Sequence, residues 1–224
     1  MIRRNATLAG LAVTTLLTFG LSGQSQAATP VDSLQQEINE VLAKTQGGVQ
    51  ISRNEISWGD GEAILSFPLP GERNAPADSA AARKIQAKAA GVPVSALGEP
   101  PAIDPEPSRD VTREPNCPTE IIGNDWYCFY QHKDYGGRRL MWNEAKSVND
   151  PVYFSKYDFE NRTSSWSNKG GKIITVANRA VAGDDLSCKN INNPIILWNE
   201  QAHTNDREVD STDDNRADCF WTTW

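Results

Sequence analysis

The chain has 224 residues, enough for one large or two small domains, and a formal net charge of −7. Its acidity is not relieved by any basic stripe, which argues against nucleic acid and anionic membrane as partners, because phosphate recognition needs clustered Lys and Arg. A soluble protein that does not bind polyanions is what this charge describes.

In chain order, Met1-Ile2-Arg3-Arg4 is basic, Leu8 to Leu21 is apolar, and Ser25-Gln26-Ala27 has small-x-small spacing. Residues 1–27 therefore read as a secretory signal peptide, too short and wrongly flanked for a stable membrane span. The mature chain is expected to start near Ala28 and to be extracellular, with no later apolar run long enough to cross a bilayer. Losing Arg3 and Arg4 takes the formal charge to −9.

Residues 28–70 read as a small α+β segment. Val31, Leu34, Ile38, Val41 and Leu42 recur at helical spacing, with Asp32 or Ser33 as cap and Gly47-Gly48 as stop. Val49–Ser52, Glu55–Trp58 and Ala63–Phe67 follow as strands, the last two joined across Gly59-Asp60-Gly61. A helix and a hairpin bury little by themselves, so this stretch is expected to be a docking pro-segment or a marginal extension. Residues 71–116 form an Ala/Pro-rich linker. Asp78 to Ala90 is a helix ended by Gly91, and Glu99 to Pro107 is an acidic Pro-rich run that supports neither helix nor ladder.

Residues 117–224 read as the packed domain, since 15 of the 18 Phe, Trp and Tyr residues lie there. So do all four cysteines. An even number in an oxidising compartment predicts disulfides, and four cysteines allow three pairings. Nearness in sequence favours Cys117–Cys128, leaving Cys188–Cys219. Trp126 to Glu144 reads as a β-hairpin whose corner, Asp134-Tyr135-Gly136-Gly137, uses the Gly pair for positive φ. The sequence then echoes itself. Met141-Trp142-Asn143-Glu144 recurs 56 residues later as Leu197-Trp198-Asn199-Glu200, each followed by an Asn-Asp pair at matching distance. Each copy ends in an Asn-Arg step and an aromatic, at Asn161-Arg162…Trp166 and Asn215-Arg216…Trp221. Such a period implies duplicated supersecondary units, naturally two Greek keys packed as an all-β sandwich with Trp142, Trp166 and Trp198 in its core.

Tyr130, Tyr135 and Gly137 have the spacing of the folded hairpin of βγ-crystallin Greek keys, which this region resembles. That family often holds calcium with a loop of two Asn or Asp residues, any two, then Ser or Thr, then Ser. Here Glu160, Asn161, Ser164 and Ser165 follow the pattern with Glu160 as the departure. Asp214 and Asn215 match the first pair of the second loop, where Asp218-Cys219 replaces the hydroxyls. The resemblance thus implies calcium as the one candidate cofactor, bound by hard oxygens. Over about 117–222 the chain is most similar to a secreted, disulfide-bonded bacterial branch, the I36 family of peptidase inhibitors, typified by a Streptomyces metalloproteinase inhibitor. That implies an extracellular, thermolysin-like zinc protease as partner, met by an exposed, disulfide-braced segment of a monomer.

Catalysis is disfavoured. Neither His132 nor His203 lies near a nucleophile motif, and no G-x-S-x-G, H-E-x-x-H or Gly-rich phosphate loop occurs. His132 falls at the hairpin turn as a surface residue, and the Asp184-Asp185 and Asp213-Asp214 pairs read as solvated charge. The Cys spacing does not suit structural zinc. The expectation is a protease inhibitor. The alternatives are a calcium-binding or cell-surface structural module, and a toxin-like or carbohydrate-contacting protein for which Trp224 is the one hint.

Overall fold

A computed structural model describes residues 32–97, 116–118, 126–143, 149–179, 188 and 195–223. The leader, the Glu99 to Pro107 run, Glu144, Asp184-Asp185 and Trp224 lie outside the described residues.

Helix α1 spans Ser33–Lys44, and its Asp32 cap accepts the Leu34 N–H at 3.1 Å. Leu34, Ile38 and Val41 are buried, one stripe at helical spacing. Strands β1 (Val49–Ser52), β2 (Glu55–Trp58) and β3 (Ala63–Ser66) follow as an antiparallel meander. Helix α2 spans Ala80–Ala90, is capped by the Ser79 hydroxyl on Ala82 N–H, and ends at Gly91 with φ 67°.

The remaining strands are β4 (Tyr127–His132), β5 (Gly136–Trp142), β6 (Val152–Tyr153), β7 (Ser165–Asn168), β8 (Ile173–Asn178), β9 (Ile195–Glu200), β10 (Thr204–Asp206) and β11 (Cys219–Thr223). They lie in two antiparallel sheets, ordered β1-β2-β3-β5-β4-β7-β10 and β6-β11-β8-β9. From β4 onward the chain runs in two sets of four strands. In each set the third strand crosses to the other set's sheet: β6 joins β8, β9 and β11, and β10 joins β4, β5 and β7. The architecture is all-β with, among the described residues, two sheets, two α-helices and three short 3-10 turns.

Aromatic residues alone placed the packed core after residue 117; the core does not stop there. Strand β3 pairs with β5 through Ala63–Trp142, Ile64–Met141, Leu65–Leu140 and Ser66–Arg139, so the early meander extends the same sheet. The alternation of the pleat sends Leu65, Phe129, Leu140 and Trp142 to one face, where they meet Leu34, Ile38 and Val41 of α1, Phe154 in the 3-10 turn after β6, and Phe220 of the second sheet. It sends Ile64, Cys128, Tyr130 and Met141 to the other face, under Ala82 and Ile85 of α2. The N-terminal share of the core is chiefly aliphatic, which is why an aromatic census passes over it.

Buried charge ties α2 to the sheet. Arg139, on β5, is ion-paired with Asp78 and donates to the Pro76 carbonyl at 3.1 Å. Asp78 also accepts from Gln86 at 2.6 Å. Burial pushes the Asp78 carboxyl up, opposed by the Arg139 guanidinium beside it. Glu55, buried on β2, accepts the Ser79 N–H at 3.1 Å just ahead of α2. On the opposite face Arg138 reaches Glu37 of α1 at 2.6 Å and lies over the Phe67 ring at 5.1 Å.

Candidate functional site

The hairpin β4–β5 turns back through the corner Asp134-Tyr135-Gly136-Gly137. Positive φ at its corner falls on Asp134 (52°), Tyr135 (60°) and Gly137 (74°), and not on Gly136, contrary to the expectation that the Gly pair carries it. Two non-Gly residues hold that strained region because neighbours clamp their backbone. Asp134 N–H donates to the Arg207 carbonyl at 2.8 Å, and Tyr135 N–H to Ser165 Oγ at 3.0 Å. Gly137 N–H donates to the Arg73 carbonyl at 2.9 Å. A Cβ on Gly137 would sit 2.7 Å from His132 Cδ2, so this position needs glycine on two counts. Tyr130 and Tyr135 pack edge to face at 5.3 Å, both buried. Arg207 bonds the Asp134 carboxylate and, with Arg73, holds it below the usual carboxylate range.

The two candidate calcium loops meet. Asn215 N–H donates to the Thr163 carbonyl at 3.1 Å, and Ser164 Oγ lies 3.4 Å from Asn215 Oδ1. Asn161 and Asn215, matched in the repeat, both adopt left-handed backbone, at φ 55° and 56°. The oxygens have other work, however. The Ser165 hydroxyl donates to the His132 carbonyl at 2.7 Å, and the Ser164 hydroxyl lies 3.1 Å from the Gln131 carbonyl. Glu160 is ion-paired with Arg179, whose backbone N–H also binds Asp218. Asp214 begins the second loop, its N–H on the Asp210 carbonyl. A cation entering here meets a guanidinium at the one carboxylate of the first loop. Among the described residues no three His, Cys, Asp or Glu side chains converge as a metal site. His132 is an exposed strand-end residue.

The disulfides are Cys117–Cys128 and Cys188–Cys219, with Cα atoms 5.9 and 6.6 Å apart. The first braces β4 on the α2 face. The second sits with Tyr153, Ala177 and Trp221 in a small cluster of the second sheet. Trp142 and Trp166 lie in the main core, and Trp198 packs partly buried against it. Trp198 Nε1–H donates to Glu200 Oε1 at 3.1 Å. Glu200 is fully buried, and desolvation pushes its carboxyl well up.

Two features had no counterpart in the sequence reading. One is the Arg139–Asp78 clamp, whose partners are 61 residues apart. The other is β9, where Ile195 and Ile196 are 48% and 55% exposed. Two adjacent isoleucines in a strand normally signal burial; only the sheet order shows that this strand is the outermost among the described residues.

Comparison with known proteins adds one match. Residues 114–180, the stretch carrying β4 to β8, match the model of peptidase inhibitor family I36. No curated protein and no solved structure matches the chain.

Proposed function

We propose, on the premise that residues 114–180 belong to peptidase inhibitor family I36, that the chain is a secreted inhibitor of extracellular metallopeptidases and acts as a monomer without catalysis of its own. The observation that carries this reading is the family match, which falls on strands of two packed sheets each pinned by a disulfide. An inhibitor binds tightly when its contact segment is already rigid, because less conformational entropy is lost on association. The strand exchange between sheets supports the crystallin-like form of the scaffold. The leader composition and the paired cysteines support secretion, and no helix among the described residues is long and apolar enough to cross a membrane.

The test is an inhibition assay of the purified mature chain against a thermolysin-like zinc endopeptidase and a subtilisin-like serine endopeptidase. The zinc enzyme is expected to be inhibited stoichiometrically. Full activity of both at micromolar excess of the chain would sink the proposal.

A second reading, a calcium-binding module, is favoured by the contact between the Thr163–Ser164 and Asn215 loops and opposed by Arg179 on Glu160. Calcium at millimolar concentration is expected to leave the thermal midpoint of the parent unchanged. A rise that is abolished by Asn161→Ala would establish that reading instead.

A further inference from the structure

From the exposure and position of β9, we infer that Ile195 and Ile196 form the contact edge that enters the substrate cleft of the target peptidase. This rests on the inhibitor reading above and goes beyond it, since β9 lies outside the family match.

Among the described residues β9 pairs with β8 alone and ends its sheet. Its outward edge therefore offers main-chain donors and acceptors in a row, a template for another extended chain. Endopeptidase clefts take their ligands extended, with main-chain bonds for affinity and pockets for alternate side chains, the geometry of strand addition. Strand β9 offers both. Ile195 and Ile196 are adjacent, project to opposite faces of the pleat, and are both about half exposed. The register slips between Val176 and Ala177, where Ala177 faces Ile196 and Val176 faces Trp198. The extra residue of that bulge is Leu197, which with Trp198 packs back on the core and anchors the strand beside the exposed isoleucines.

The chemistry of the edge points to the same occupant. The chain is acidic on balance, yet Ile195 to Asn199 carries no charge, and the Glu200 that follows is buried. An uncharged aliphatic edge on an acidic protein suits a cleft whose pockets accept bulky aliphatic side chains. The neighbouring strand β8 is held by β11, which carries Cys219 of the second disulfide, so the edge is presented on a fixed frame.

The test uses the full mature chain and inhibition constants for the two endopeptidases named above. Ile195→Asp with Ile196→Asp is expected to weaken inhibition by about thirtyfold or more, since burying a carboxylate in an apolar pocket removes a central contact and adds a desolvation cost. Ile195→Ala and Ile196→Ala, which add no charge, are each expected to weaken it by about tenfold. Val49→Asp, at a 62% exposed position on the far edge strand β1, is expected to leave it within about twofold. Thermal midpoints of all variants control for folding. Unchanged inhibition by the folded Asp and Ala variants overturns the inference while leaving the inhibitor reading standing. A parent that inhibits neither enzyme overturns both. A parent that sediments as a dimer, and that the Asp pair converts to a monomer of equal potency, overturns it in favour of self-association through β9.

Discussion

Strands β5 and β9 are each the second of four in their two sets, Trp142 ending β5 and Trp198 lying in β9, and they have opposite surroundings. All seven residues of β5 are buried, because β3 pairs along its outer edge, α1 and the second sheet cover one face, and α2 covers the other. Strand β9 has no such partner among the described residues and leaves two isoleucines in water. The N-terminal segment completes one set and not the other. The two sets are thus asymmetric, with one edge closed by β3 and, among the described residues, one edge left open at β9.

Removing residues 32–97 is the strongest way to break this contrast. Without them β5 loses its ladder to β3, Arg139 loses Asp78, and the main core loses its aliphatic α1 side. A chain starting at Asn116 is expected to show no cooperative urea transition by tryptophan fluorescence. A transition at the parent's midpoint would mean that the early segment is dispensable.

Replacing the paired tryptophans sharpens the comparison. Trp142→Ala is expected to cost about 3–5 kcal/mol in urea unfolding, a large side chain deleted from a filled core. Trp198→Ala, at a partly buried site against the same core, is expected to cost about half of that or less. Equal costs would show that β9 is packed as tightly as β5.

The smallest effect is on pH dependence. Glu200 on β9 has its carboxyl raised by burial, so the folded state holds its proton where the unfolded chain has released it. Stability from this group is fully present below the ordinary carboxylate range and falls as pH rises through the higher folded value. Asp78, also raised, has the same sign. Glu200→Gln keeps an oxygen for the Trp198 indole N–H. It is expected to flatten, without abolishing, the loss of stability as pH rises above the ordinary carboxylate range. A slope identical to the parent's would show that Glu200 is not charged by rising pH.

Local rules sufficed for much of the molecule. Asp32 before a 3.6-residue apolar period marks α1, Gly91 marks the end of α2, and Tyr130, Tyr135 and Gly137 mark the folded hairpin. The 56-residue Trp142–Trp198 spacing falls on the second strand of each set of four. These signals act within a few residues or at a fixed period, so one chain read from end to end contains them. What sequence by itself could not decide was which edges are covered. The pairing of β3 with β5, the Arg139–Asp78 clamp and the open edge at Ile195–Ile196 each depend on strands brought together from distant parts of the chain. An apolar strand reads alike whether it lies at the centre of a sheet or at its rim. Only the tertiary order of the strands separates the edge that stabilises this protein from the edge it presents.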